Sequence, residues 1–108
     1  MLKSDELINK VKSYNKFLNP DTLSKAYNFA LKAHQKQKRD EGSPYIIHPV
    51  AVADILTELK LDSATIATGL LHDTIEDTHA TYETVKEEFG QEVADLVDGV
   101  TKISVFEN

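Results

Sequence analysis

The sequence predicts an all-α fold, and three observations support this prediction. Apolar residues recur at three- and four-residue spacing through most of the chain. Proline, glycine and polar capping residues fall between these periodic segments, where they would begin or end helices. No segment alternates apolar and polar residues in the manner of a half-buried strand. We therefore expect about six helices in a single domain over residues 1–108, because a chain of this length forms one core.

The first half of the chain contains three predicted helices. The first follows a cap at Ser4, and the second begins at Pro20 after a cap at Asn19. Four consecutive charges followed by a glycine and a proline predict an exposed loop from Gln37 to Tyr45, after which Pro49 opens the third helix. The residues expected to face the core share helical spacing: Leu7, Val11 and Tyr14; Leu23, Ala26, Tyr27, Ala30, Leu31 and His34; Val50, Ala53, Ile55, Leu56 and Leu59.

The second half contains three more. Asp62 or Ser63 starts the fourth helix, and Thr81 caps a shorter fifth helix that ends at Gly90. The last helix is expected to run to about Lys102. The apolar residues that mark the buried faces of the fourth and last helices are Ala64, Ala67, Leu70 and Leu71, and then Val93, Leu96, Val97 and Val100.

Composition excludes several classes of protein. The absence of cysteine rules out disulfide scaffolds, iron–sulfur sites and thiol nucleophiles. Twelve basic residues against eighteen acidic ones give 12 − 18 = −6, a poor balance for binding nucleic acid or a membrane surface. The N-terminus lacks the apolar stretch of a secretory signal, and no apolar run could span a bilayer. These features predict a cytoplasmic protein that binds neither nucleic acid nor membrane.

One cluster of side chains favours metal chemistry. His72 and Asp73 are adjacent, and Glu76 and Asp77 follow each of them by four residues, so a helix would bring all four over one surface. Three carboxylates near a helix C-terminus oppose the helix dipole, at a cost of about 0.3–1 kcal/mol each, and a divalent cation would reverse that cost. A solvated acidic helix end is the alternative interpretation.

His48 is the second candidate. It stands between apolar neighbours before Pro49, where a buried and hydrogen-bonded histidine is the simpler interpretation. Combined with the later His72–Asp73 pair, it would complete a set of nitrogen and oxygen ligands. Such a set suits manganese, iron, zinc or nickel, and does not select among them.

The order of motifs resembles the N-terminal hydrolase domain of the RelA/SpoT family, a branch of the HD-domain phosphohydrolases. The resemblance covers residues 23–103 and rests on the whole series in register. The matching segments are AH at 33–34 followed by Gln37 and Arg39, GSPYIIHP at 42–49, LLHD at 70–73, IEDT at 75–78 and VDGVTK at 97–102.

The resemblance implies a role for each matched residue. His48, His72 and Asp73 would hold the metal, usually manganese in this family, and Glu76 and Asp77 would position the attacking water and handle protons. Arg39 would pack against the guanine base. The implied reaction is removal of pyrophosphate from the 3′ position of guanosine tetra- or pentaphosphate, the stringent-response alarmones.

The chain also departs from the family pattern. The family's fourth metal ligand, an aspartate on a later helix, has no counterpart before Asn108. We therefore expect a partial HD-type hydrolase domain that lacks the family's C-terminal helices, with an apolar face covered by a second copy or by a separately encoded remainder. Three functions stay open: an active alarmone hydrolase, an inactive remnant that binds a metal, nucleotide or partner, and an HD enzyme acting on another nucleotide.

Overall fold

The computed structural model describes residues 1–38, 42–74 and 81–107, with side chains described as far as Lys102. Within these ranges the chain folds into six α-helices and contains no β-strand, which confirms the predicted all-α class. Within the same ranges, no helix is long and apolar enough to cross a lipid bilayer. The helices are α1 (Ser4–Lys12), α2 (Pro20–Ala33), α3 (Ile47–Glu58), α4 (Ser63–Leu71), α5 (Tyr82–Phe89) and α6 (Gln91–Glu107).

Helix α4 lies at the centre of the fold. It contacts α2, α3 and α6, and every residue from Ile66 to Leu71 is buried. Burial all round explains why this helix is rich in apolar and small residues. The close approach to α3 occurs at Gly69, where an added Cβ would lie 2.6 Å from Cδ1 of Leu56. The C-terminal end of α4 is therefore fixed by packing on several sides.

Helix α1 is held against α3 by polar contacts at the edge of the core. Lys10 forms ion pairs with Asp54 and Glu58 of α3. The hydroxyl of Tyr14 donates a hydrogen bond to the carbonyl of Leu61, just beyond the end of α3 (2.6 Å). These contacts hold α3 against the N-terminal helix.

Two predicted helix starts are wrong by one or two residues. Ser4 was predicted to cap α1, but it is the first residue of the helix and Lys3 is the N-cap residue. The Lys3 amide donates a hydrogen bond to the Glu6 carboxylate (3.0 Å). Helix α3 begins at Ile47, so that His48 lies inside the helix and Pro49 is its third residue. Proline is tolerated there because the first four amides of a helix have no partner within it. The predicted caps Asn19 and Thr81 are confirmed, as are Asp62 and Gly90.

Five residues predicted to be buried are at least one-third exposed. They share helical spacing with core residues but lie on the outer side of their helices: Leu31, Ile55, Leu59, Leu96 and Val100. In α3 the reason is clear, because Val50, Ala53 and Thr57 are buried while Ile47, Ala51, Ile55 and Leu59 form a second, exposed stripe. Periodicity cannot distinguish two apolar stripes on the same helix. The last helix is also longer than predicted and reaches Glu107.

We expect replacement of Asp62 by alanine to lower the free energy of unfolding by about 0.5–2 kcal/mol at pH 7. The Asp62 carboxylate caps α4 by accepting a hydrogen bond from the Thr65 amide (2.9 Å), and its hydrogen bonds with Thr65 hold its pKa below the ordinary 3.8. The contribution of the charge is therefore complete above pH 3.8 and is lost as the pH falls through the lower, folded-state pKa. Urea unfolding at several pH values measures both effects, and Asp62→Asn, which keeps the cap without the charge, is the control.

A second prediction concerns the spacing between α3 and α4 at Gly69, and Gly99 on α6 serves as the control. Gly99→Ala should raise the free energy of unfolding by about 0.5–1 kcal/mol, because a Cβ at this helical position meets nothing within 4 Å. Gly69→Ala should be less stable than Gly99→Ala by about 1 kcal/mol or more, since the tip of Leu56 must move. Equal thermal unfolding temperatures for the two variants would show that the α3–α4 contact is not tight at Gly69.

Candidate metal centre

Three of the predicted metal ligands come together where α3 and α4 meet. His48 is the second residue of α3, and His72 and Asp73 directly follow the last residue of α4. The prediction that this pair lies within a helix is therefore corrected, although His72 keeps α-helical backbone angles as the C-cap residue. One donor atom from each of the three residues lies within 4.8 Å of the others.

One oxygen atom of Asp73 is the centre of this cluster. Its Oδ2 lies 3.2 Å from Nε2 of His72 and 3.7 Å from Nε2 of His48. The two imidazole rings meet edge to face, with centroids 5.5 Å apart. Asp73 is buried, His72 nearly so, and His48 is about one-third exposed, so the cluster opens to solvent on the His48 side.

The hydrogen bond at the other ring nitrogen of His72 sets its chemistry. Nδ1 lies 2.6 Å from the carbonyl oxygen of Gly69. A carbonyl oxygen can only accept, so Nδ1 carries the proton and the Nε2 lone pair of the neutral ring faces Asp73. A lone pair and a carboxylate oxygen at 3.2 Å repel each other unless a proton or a metal ion lies between them. A carbonyl that orients a histidine in this way is the usual support of a metal ligand.

Asp73 is prepared to carry a negative charge despite its burial. Burial raises the pKa of this carboxyl, but the hydrogen bond that Nε2 of His72 donates when its ring is protonated, the hydrogen bond from Tyr45 and the charges of the protonated histidines outweigh burial and hold the pKa below its ordinary value. An ionised carboxylate is the form that binds a metal ion.

The residues present therefore fit a divalent ion. Two imidazole nitrogens and one carboxylate oxygen are ligands that manganese, iron and zinc accept. Three protein ligands leave coordination positions for water and substrate, as in catalytic metal sites. The His48 side of the cluster is the side that solvent reaches.

Three other predicted site residues lie outside the described residues. They are Arg39, predicted to contact a nucleotide base, and Glu76 and Asp77, predicted to act on the attacking water. Their predicted roles stay predictions.

Sequence reasoning missed the side chains that support the ligands. The Tyr45 hydroxyl donates to Oδ2 of Asp73 (2.6 Å). The single proton of the Thr101 hydroxyl on α6 is shared between the carbonyls of Val97 (2.9 Å) and His72 (3.3 Å). Both residues lie in motifs that carried the family resemblance. Their positions in those motifs were the available signal, but periodicity and charge gave no reason to assign them a polar role.

Comparison with known proteins agrees with this geometry. The sequence profile of the HD domain matches residues 26–108, which include all three clustered residues. The chain belongs to the HD domain family. This membership accounts for the helical architecture and for a histidine–aspartate pair at the end of a buried helix.

Among HD-domain proteins the chain is similar to several that are named for guanosine polyphosphate metabolism, which confirms the RelA/SpoT resemblance. It is 58% identical over 96 residues to a GTP pyrophosphokinase of Myxococcus xanthus, covering 89% of this chain and 13% of that protein. It is 57% identical over 83 residues to guanosine-3′,5′-bis(diphosphate) 3′-pyrophosphohydrolase of Aquifex aeolicus, covering 77% of this chain and 12% of that protein. The chain thus spans about one-eighth of the length of these two relatives.

A solved structure shows the same relationship in three dimensions. It is described as a metazoan ortholog of SpoT that hydrolyzes ppGpp and plays a role in starvation responses. The two structures superpose with a TM-score of 0.70 at 33% sequence identity, over 74% of this chain and 47% of the other.

In the metal-free protein we expect the Asp73 carboxyl to titrate below pH 3.8, because its hydrogen bonds and the histidine charges outweigh burial. Since the folded-state pKa is lowered, ionised Asp73 adds stability above the ordinary pKa, and that stability is lost as the pH falls through the lower value. The carbon-13 shift of the carboxyl, followed by NMR, gives the midpoint. A midpoint at or above 3.8 would mean that burial dominates and that the hydrogen bonds are weaker in solution.

Proposed function

We propose that this HD domain is the metal-binding part of a manganese-dependent hydrolase that removes pyrophosphate from the 3′ position of guanosine tetra- or pentaphosphate. The observation that carries the proposal is the convergence of His48, His72 and Asp73 around one carboxylate oxygen. The similarity to proteins named for this reaction supports the choice of substrate. Another divalent metal would suit the same ligands.

The proposed reaction is hydrolysis of one phosphoester bond. Water attacks the phosphorus nearest the sugar, the bond from that phosphorus to the 3′ oxygen breaks, and the 3′ oxygen leaves with a proton as a hydroxyl. When bound, the ion would polarise the phosphate and lower the pKa of the attacking water. The protein supplies two oriented imidazoles and an ionised carboxylate at fixed positions, which a metal-dependent hydrolase needs before substrate binds.

The remaining roles follow the family resemblance. Glu76 and Asp77 would orient the water and accept its proton, and Arg39 would stack on the guanine base and remain free to pair with phosphate. The reaction is expected in the cytoplasm, with the guanosine polyphosphate as ligand and without nucleic acid or a membrane. Association with a second copy, or with a separately encoded remainder that completes the site, stays part of the proposal.

The proposal is tested by measuring pyrophosphate release from guanosine tetraphosphate with manganese present. His72→Ala should abolish both manganese binding and turnover, because it removes a ligand. Glu76→Gln and Asp77→Asn should bind manganese but lower turnover by about 10²–10⁴-fold, since the amide cannot accept the proton. Glu83→Gln, the same change at an exposed residue of α5, is the control and should match the parent.

Two results would count against the proposal in different ways. Manganese and nucleotide binding without any pyrophosphate release would favour the alternative, a binding module without turnover. Release of phosphate from other nucleotides, with guanosine tetraphosphate untouched, would keep the HD chemistry and change the substrate.

A further inference from the structure

The Asp73 oxygen that faces both histidines also has a third partner. The hydroxyl of Tyr45 donates a hydrogen bond to the same Oδ2 atom at 2.6 Å. This is the length of a strong hydrogen bond to an ionised acceptor. Because a carboxylate oxygen has more than one lone pair, it can accept this bond and still bind an ion on its other side.

Tyr45 is held in place from the opposite direction. Its ring lies against the ring of His34 with centroids 4.6 Å apart and planes 32° from parallel. His34 is 1% exposed, caps the end of α2, and bonds through Nδ1 to the side chain of Gln37 (2.7 Å). The Tyr45 amide donates to the carbonyl of Gln37 (2.9 Å). The position of the phenol is therefore set by the end of α2 and the base of the loop that follows it.

This arrangement restricts the carboxylate of Asp73 before any ion binds. His48 comes from α3 and His72 from the end of α4, whereas the phenol that donates to the same oxygen is packed on His34 at the end of α2. A carboxylate without this bond could rotate, and holding it for the ion would then cost conformational entropy. A fixed carboxylate binds the ion without that cost.

We propose that Tyr45 is a positioning residue for the metal site: its hydroxyl fixes the ligating oxygen of Asp73 and thereby couples metal binding to the base of the loop between α2 and α3. The proposal rests on the metal site proposed above. The coupling is reciprocal, because a bond that favours metal binding is itself strengthened when metal is bound.

The test compares Tyr45→Phe with Tyr82→Phe by isothermal titration calorimetry with manganese alone. Tyr82 is a matched control, because its hydroxyl also donates to a carboxylate at 2.6 Å, that of Asp95, between α5 and α6. Tyr45→Phe should bind manganese about 10–100-fold more weakly than the parent, as expected for loss of a hydrogen bond to a metal ligand. Tyr82→Phe should bind as the parent does. Thermal unfolding of both variants without metal shows whether the aromatic ring, without its hydroxyl, maintains the fold.

A second measurement can already be made on the parent chain. At saturating manganese, hydrogen exchange of the Tyr45 amide should slow in the parent chain, by up to the same factor that Tyr45→Phe loses in affinity. The slowing should persist in Tyr82→Phe and disappear in Tyr45→Phe.

The outcomes separate this inference from the proposed function. If the parent chain binds no manganese, the metal site and the role of Tyr45 both fail. If the parent binds manganese and Tyr45→Phe binds it equally tightly, the metal site stands and the role of Tyr45 is wrong. Unchanged exchange of the Tyr45 amide in the metal-bound parent would also overturn the coupling, even if Tyr45→Phe did not fold.

Discussion

The close packing of α3 against α4 is the constraint on which the candidate site depends. His48 is carried by α3, and His72 and Asp73 are carried by the chain that leaves α4. Neither helix can shift far, because glycine at position 69 lets the two approach until an added Cβ would collide with Leu56. The same glycine offers its carbonyl to Nδ1 of His72. A single position thus sets both the distance between the ligand-bearing helices and the orientation of one ligand.

The electrostatics of the cluster follow from this packing. A buried carboxylate would ordinarily hold its proton, since burial disfavours charge. Here the neighbouring imidazoles and the Tyr45 hydroxyl lower the pKa of Asp73 instead. A proton or a metal ion can lie between Nε2 of His72 and Oδ2 of Asp73, which are 3.2 Å apart. Competition between protons and metal for this position follows directly, because both bind the lone pair of Nε2.

Prediction from sequence identified most helix caps, although two helix starts were wrong, and it failed where packing between helices decides which face is buried. The caps Asn19, Asp62 and Thr81 could be recognised because capping depends on a few adjacent residues. Ile55 and Leu59 were misplaced because α3 is apolar on two sides, and only the other helices determine which side is covered. The His48–His72–Asp73 convergence was expected from the motif order. The hydrogen bond from Tyr45 was not expected, because it joins residues 28 positions apart and helical periodicity does not indicate such contacts.

The charge of the chain gives the proposed ion a second role beyond catalysis. A protein with a formal charge of −6 repels a guanosine polyphosphate at long range. The resemblance places Arg39 against the guanine base, and three lysines, Lys32, Lys36 and Lys38, lie within eight positions of the sequence that end at Arg39, although Asp40 and Glu41 follow at once. Neutral His48 and His72 with ionised Asp73 carry one negative charge, so a bound divalent ion would make the centre positive by one. The proposed nucleotide binding, and not turnover alone, would therefore depend on the metal.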